Sequence, residues 1–167
     1  MPSALDYEIR PAQSEDVADI LRLIQALAEY EKLSNEVVAT EDKLRVALFG
    51  ERPAAETLIA TRDGQAVGFA FFFHNFSTFR GARGLYLEDL FVEPDHRGQG
   101  LGRRLLKELA QIAVERGCER MEWSVLDWNT PAIGFYKSLG AKPLDDWSIF
   151  RLTGEALQAF AGVPSTA

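Results

Sequence analysis

Two adjacent carboxylates, Glu88 and Asp89, stand on an apolar run that ends at Pro94 and passes through Arg97-Gly98-Gln99-Gly100-Leu101-Gly102-Arg103 into a helical pattern. A carboxylate in such a place can take a proton from a nucleophile, work typically worth about 10² to 10⁴-fold in rate. The turn that follows has the makings of an anion cradle. Pro94 cannot donate to a sheet ladder and so ends the strand. Gly98, Gly100 and Gly102 lack a Cβ and let backbone N–H groups close on a ligand. The helix beyond adds unpaired N–H groups and a dipole, which favour negative charge by about 0.3 to 1 kcal/mol at an exposed site and up to ~2 when partly buried. A pyrophosphate fits that description. Arg103 and Arg104 point the same way, because a cation at a helix start is unfavourable unless an anion is nearby.

What the loop lacks narrows the ligand. It reads G-x-G-x-G, with Arg103 where the dinucleotide fingerprint needs its last glycine, so an NAD-type site is disfavoured. No Gly-Lys-Ser/Thr follows, so the lysine of a nucleotide P-loop is missing. With its preceding strand and following helix, Arg97 to Gly102 resembles the R/Q-x-x-G-x-G/A loop of the GCN5-related N-acetyltransferase (GNAT) superfamily. The resemblance implies that the loop's backbone holds the pyrophosphate of acetyl-coenzyme A.

A narrower resemblance covers nearly the whole chain, from Ile9 to about Leu157. Leu85-Tyr86-Leu87-Glu88-Asp89-Leu90-Phe91-Val92, Trp128-Asn129-Thr130-Pro131, Phe135-Tyr136-Lys137 before Gly140-Ala141, and Ile9-Arg10-Pro11-Ala12 resemble diamine acetyltransferases of the spermidine/spermine type, whose relatives include enzymes acting on thialysine. For the coenzyme, this likeness implies that the backbone of Leu90, Phe91 and Val92 pairs with pantetheine and that Arg97, Gly98, Gln99, Gly100, Leu101, Gly102 and Arg103 hold the pyrophosphate. Asn129, Ala132 and Tyr136 are implied to contact it too. For the chemistry, Tyr136 falls on the family's catalytic tyrosine, the acid that protonates the departing thiolate, and Glu88 on the group that takes the amine's proton through water. Tyr30, Glu31, Glu88, Asp89, Glu122, Trp123 and Ser124 fall where the family lines its polyamine site. A homodimer is implied as well.

Taken without the family, the same residues allow plainer readings. Adjacent strand residues face opposite sides, so Glu88 and Asp89 share one site only if a bulge intervenes, and Asp89 reads as a solvated or structural carboxylate. Tyr136 beside Phe135 reads as a packed aromatic with its hydroxyl at a rim. Carboxylates and aromatic faces at Tyr30, Glu31, Glu122, Trp123, Asp127 and Trp128 could together attract an ammonium group. No Ser-His-Asp set and no G-x-S-x-G elbow is present, which favours direct amine attack over an acyl-enzyme. The expected activity is therefore acetyl transfer from acetyl-CoA to a primary amine of a small cation. Acetylation of a peptide or protein amine, and a coenzyme A sensor without chemistry, are the alternatives.

Composition sets outer bounds. At 167 residues the chain suits a single domain, 1–167, with a core of about 7–160 and a tail of 161–167. The net charge of −7 works against a nucleic-acid backbone and in favour of cationic partners. Cys118 is the lone cysteine, and His74 and His96 have no zinc-ligand spacing, so neither a disulfide nor a metal is expected. No signal peptide opens the chain, and the apolar run Ala66 to Phe73 is far short of the ~20 residues that span a bilayer, so a soluble cytoplasmic protein without membrane contact is expected.

These groups need scaffolding, and the hydrophobic pattern supplies it. Strands are expected at Tyr7–Arg10, Thr57–Arg62, Gln65 onward, Leu85–Val92, Met121–Leu126 and Trp147–Leu152. Helices are expected after a Ser14 cap, over Glu41–Phe49 and Leu101–Arg116, after a Thr130 cap with Pro131, and over Gly154–Phe160. Asp63-Gly64 marks a tight hairpin. Antiparallel strands first, then strand, helix and strand, make an α+β fold with a mixed, mostly antiparallel sheet. The family likeness adds helices on both faces and a splayed pair of parallel strands.

Overall fold

The computed structural model describes residues 6–163, which form two compact units, one ending at Ser124 and the other beginning at Val125. In chain order the first unit has β1 (Glu8–Pro11), α1 (Val17–Tyr30), α2 (Glu41–Phe49), β2 (Glu56–Arg62), β3 (Gln65–Ser77), β4 (Ala82–Val92), α3 (Leu101–Glu115) and β5 (Met121–Trp123). Its strands make one five-stranded sheet in the order β1-β2-β3-β4-β5. Every pair is antiparallel except β4 and β5, which run parallel because α3 carries the chain back across the sheet. The α+β class with a mixed sheet is the one the sequence pattern led to.

Local chemistry explains most of these elements. Asp63 and Gly64 both have positive φ, 51° and 77°, as a tight primed turn requires, and they join β2 to β3. Side chains at alternate positions of β3 are buried on both faces, including Phe69 and Phe72. On one face Ile59, Phe69 and Phe91 pack with Ile20, Leu23 and Leu27 of α1 and Leu44 and Leu48 of α2. The other face takes Phe72, Leu85 and Leu87, all buried, and α3 contributes the buried stripe Leu101, Leu105, Leu106 and Leu109. Burying a side chain of this size contributes about 1.5 to 3 kcal/mol, so the two layers hold the sheet from either side.

Four features differ from the sequence expectation. Ser14 does not cap α1; a short 3-10 turn, Ser14–Asp16, precedes the helix, and Gln13 and Asp16 close a reciprocal capping box around it. Asp16 is in turn forked by Arg10 at 2.7 and 2.9 Å, which draws its carboxylate into that role. β5 is three residues long and ends at Trp123. In the second unit, α4 (Thr130–Ser138) and α5 (Gly154–Phe160) are present, but Asn129 rather than Thr130 is the cap of α4, its Oδ1 accepting from the Ala132 N–H at 3.4 Å. Trp147–Leu152 is not a strand. Its side-chain pattern carries β propensity, but a strand is stabilised by its ladder and cross-strand pairs, and among the described residues none pairs with it.

The two long helices of the first unit end in the same motif with different residues. At the end of α3, Cys118 N–H bonds to the Ala113 C=O at 2.8 Å and Gly117 N–H to Val114 C=O at 3.1 Å, with Gly117 at φ 71°. At the end of α1, Leu33 N–H bonds to Ala28 C=O at 2.8 Å and Lys32 N–H to Glu29 C=O at 3.1 Å, with Lys32 at φ 61°. Both are Schellman closures, which normally place glycine at the left-handed position. Lys32 has a Cβ and is strained there. Lys32→Gly is expected to raise the free energy of unfolding by about 0.5 to 1 kcal/mol, the relief of strain exceeding the added flexibility of the unfolded chain; urea denaturation measures it, and a loss of stability would contradict this account.

Candidate active site

β4 carries the site because its two edges are treated differently. β5 pairs with Leu85, Tyr86 and Leu87 and with nothing further along. On the opposite edge β3 accompanies β4 through Val92, paired with Gly68. The Glu93 N–H donates to the Val67 C=O at 2.9 Å, which makes Gly68 and Val92 a non-hydrogen-bonded pair. The N–H and C=O of Val92, and of Leu90 two residues earlier, therefore turn away from β3 toward an edge where, among the described residues, no strand pairs with them. One of those groups is taken: Arg97 Nε donates to the Val92 C=O at 2.7 Å.

A bulge sets the two carboxylates. Phe71 pairs with Asp89 and Phe72 with Leu87, so Glu88 is the extra residue of β4. Past it the facing of the strand is reset. Phe71 and Phe73 pack against the α1 side of the sheet, and their cross-strand partners Asp89 and Tyr86 lie on that same side. Without the bulge Asp89 would face α3. Glu88 itself is exposed and Asp89 half-buried.

Asp89 opens into a cavity of about 340 Å³ between β4 and the end of α1, lined by Ile24, Leu27, Ala28, Glu31, Leu33, Glu36, Val37, Val38 and Ala39. Burial, then the negative charges of Glu88 and Glu31, push the Asp89 carboxyl up to about 6. Burial also raises Glu31. Aliphatic walls with three carboxylates suit a cation with a methylene stem. The stretch from Leu33 to Ala39 was not singled out in the sequence, because it lacks periodicity and Glu36 has no motif around it. A larger cavity, about 650 Å³, is lined by Leu48, Phe72, His74, Ile112 and Arg116 among others and by none of the expected site residues. Its charged groups are already matched: Glu56 accepts two bonds from Arg116, at 2.6 and 2.9 Å, and His74 Nε2 lies 2.9 Å from the same guanidinium.

The glycine-rich loop stands open. A Cβ built on Gly98 or Gly102 meets no heavy atom within 4 Å, and Gly98 and Gly100 have φ of 74° and 81°, a region that side chains rarely enter. No side chain caps α3; its first intrahelical bond is Arg104 N–H to Gly100 C=O at 3.1 Å. The amides of Leu101, Gly102 and Arg103 precede it, directed out of the helix start. Tyr7, just before β1, steadies the loop, its hydroxyl donating to Gln99 Oε1 at 2.7 Å and lying 3.0 Å from His96 Nδ1. These features fit a diphosphate.

The remaining residues are distributed as follows. Ser124 Oγ lies 2.9 Å from the Tyr86 hydroxyl, on the α1 side of the sheet. Glu122 pairs with Arg120 at 2.6 Å and accepts from Asn75 at 3.4 Å, so its carboxylate is already engaged. Trp123, next to Glu122 on β5, faces the opposite side and is partly buried. In the second unit, Asn129 is buried, Ala132 sits in the first turn of α4, and the Tyr136 ring lies tilted against Phe135, centroids 5.6 Å apart. Among the described residues no group of three or more His, Cys, Asp and Glu side chains could hold a metal ion, and no helix is long and apolar enough to cross a membrane.

Comparison with known proteins gives the family. The model of the Acetyltransferase (GNAT) family matches residues 21–141, which include β4, the glycine-rich loop and Tyr136. The chain belongs to the GNAT acetyltransferase family. It is 44% identical over 165 residues to a thialysine N-epsilon-acetyltransferase of Bos taurus, covering 92% of this chain and 96% of that one. It is 33% identical over 196 residues to an L-ornithine N5-acetyltransferase of Arabidopsis thaliana, covering 90% and 86%. An integron cassette protein from the mobile metagenome of V. cholerae superposes with a TM-score of 0.79 at 29% identity, covering 93% and 98%. The GNAT chain described here is thus an N-acetyltransferase, and enzymes of its family use acetyl-CoA as the acyl donor.

Asp89 gives the site a signature in stability. Its carboxyl binds a proton more readily folded than unfolded, so between pH 3.8 and about 6 folding takes up protons and stability falls as pH rises. Asp89→Asn removes that loss. The variant is expected to exceed the parent by on the order of 1 to 2 kcal/mol above pH 6, discounted for partial exposure, and to match it near pH 4. Urea unfolding at both pH values checks it; an Asn variant that is less stable at pH 7 contradicts the assigned environment.

Proposed function

We propose that this GNAT enzyme moves acetyl from acetyl-CoA to a primary amine of a small cationic substrate such as a polyamine, a diamine or a lysine analogue. The observation that carries the reading is the succession of three features along one strand and the turn after it: a carboxylate pair at a bulge, an edge at Leu90 and Val92 that β5 does not cover, and a loop from Arg97 to Arg103 leading into a helix start with no side-chain cap. Pantetheine pairs with the Leu90 to Val92 edge, leaving the Val92 C=O to Arg97, and the loop amides hold the pyrophosphate. Asn129, Ala132 and Tyr136 complete the coenzyme contacts by their match to the family. The acidic cavity supports a cationic acceptor, and the named activities of the thialysine and ornithine relatives agree with a side-chain amine.

The chemistry follows from the acceptor's charge. An ammonium has no lone pair, so the amine first loses a proton, which Glu88 accepts through water from its exposed position on the bulge. Tyr30, Glu31, Asp89 and Ser124 form the substrate surround, with Asp89 and Glu31 balancing the ammonium's positive charge; of the residues the resemblance implied, Glu122 is held by Arg120 and Trp123 faces the other side of β5, so neither is included. The neutral nitrogen attacks the thioester carbon, the C–S bond breaks as Tyr136 gives its proton to the departing thiolate, and the nitrogen's second proton leaves to solvent, from which the Tyr136 phenolate is reprotonated. A homodimer, from the same resemblance, is measured by light scattering.

Turnover with acetyl-CoA over spermidine, thialysine, ornithine and a lysine peptide tests the substrate class. The free cations are expected to react and the peptide to be poor; the reverse order would favour a protein acetyltransferase, and no turnover at all a coenzyme sensor. Tyr136→Phe is expected to lower kcat about 10² to 10⁴-fold while coenzyme A affinity is kept. Near-normal kcat would remove Tyr136 from the mechanism.

A further inference from the structure

The loop arginine does something the family match does not ask of it. Arg97 lies with its guanidinium carbon 4.8 Å from the centroid of the Tyr30 ring and 5.3 Å from that of Phe91. Its Nε is spent on the Val92 C=O. Both rings fall within the ~6 Å range of a cation–π contact. One partner, Phe91, is a buried residue of β4; the other, Tyr30, is the last residue of α1, adjacent to Glu31 in the wall of the acidic cavity.

We infer that Arg97 is a positioning residue that fastens the end of α1, and with it Tyr30 and Glu31, to the coenzyme loop, so that acetyl-CoA affinity and amine affinity depend on one contact. The inference rests on the acetyl-CoA and cationic-amine reading above and adds the coupling between the two sites. Geometry favours a local effect at the end of the helix. The middle of α1 is separately tied down, because Arg22 donates to the Ala66 C=O at 2.7 Å and pairs with Glu93. Loss of the Arg97 contact therefore frees the last turn of α1 without releasing the helix. Order in the loop is shared as well. Gly98, with its positive φ, adjoins Arg97, so a guanidinium clamped between two rings fixes the direction in which the loop amides present themselves. An anion that orders the loop places Arg97, Arg97 orders Tyr30, and by reciprocity an amine that orders the end of α1 favours the loop.

The test is a double-mutant cycle with two readouts: coenzyme A dissociation constant by calorimetry, and the thialysine KM and kcat at saturating acetyl-CoA. Tyr30→Ala, outside the loop, is expected to weaken coenzyme A binding about three- to tenfold, a range set by one cation–π contact. Tyr30→Phe, which keeps the ring, is expected to hold the parent coenzyme A affinity. Arg97→Gln is expected to raise the thialysine KM by a similar factor with a smaller change in kcat, and the double variant to bind coenzyme A no more weakly than Arg97→Gln alone. Both residues are at the surface, so the variants are expected to fold, which thermal melts check. Unchanged coenzyme A affinity in Tyr30→Ala, or effects that multiply in the double variant, would overturn the coupling. A parent protein that binds no coenzyme A would instead overturn the acetyl-CoA reading on which the coupling rests.

Discussion

A strand that loses a neighbour halfway along its length leaves backbone hydrogen-bonding groups without partners, and buried groups of that kind are costly to leave unmet. β4 is such a strand. β5 accompanies it only through Leu87, yet β4 runs on to Val92 with β3 still paired on its other side. The firm pairing to β3 keeps the free edge straight and presented; the missing pairing to β5 makes it available. The bulge at Glu88, the backbone of Leu90 and Val92 and the glycine-rich loop follow one another along that edge and beyond its end.

Charge in the site runs against stability. Glu31 and Asp89 share a partly buried cavity with Glu36, and Asp89 is raised to about 6 by burial and by like charge. Carboxylates gathered without cations raise the free energy of the folded protein, and an ammonium lowers it again, so the penalty in the free protein becomes affinity for a positively charged substrate. The end of α1 adds to this twice. Its backbone carbonyls put the negative end of the helix dipole beside Glu31, and Lys32 holds a left-handed conformation that places the chain for the turn into Leu33–Ala39. Strain and like charge thus meet within a few residues of each other, where a ligand can relieve the second of them.

The protein's own cations past the C-terminal end of β4 are arranged in two ways. On the α1 side they are spent on tethers: Arg22 on Glu93, and Arg97 on the Tyr30 and Phe91 rings. At the start of α3, Arg103 is exposed, while Arg104 reaches back to the Tyr7 C=O at 3.0 Å. The acidic balance of the whole chain therefore says little about either site. On the proposed reading, the local distribution suits an amine on one side of the strand's end and a phosphate on the other.

Much of this was legible in the amino-acid sequence, because the interactions concerned are short in range. The Asp63-Gly64 turn, the glycine-rich loop after Pro94, the leucine stripe of α3 and the glycine that ends it follow from backbone preferences and periodicity within a few residues. The family likeness supplied the chemical meaning of the loop and of Tyr136. Other features depend on contacts between distant segments, which no local rule contains. The register of β3 on β4 decided that Glu88 is a bulge and that Asp89, read from the sequence as a solvated or structural carboxylate, faces the cavity. Packing of the α1 end against β4 drew in Glu36 and the Leu33–Ala39 stretch. The absence of a neighbouring ladder among the described residues left Trp147–Leu152 without the strand its pattern suggested. Types and spacing of residues determined which chemistry was available to this chain; tertiary pairing decided which carboxylate meets it, because facing along a strand is set by the partner strand and not by the strand alone.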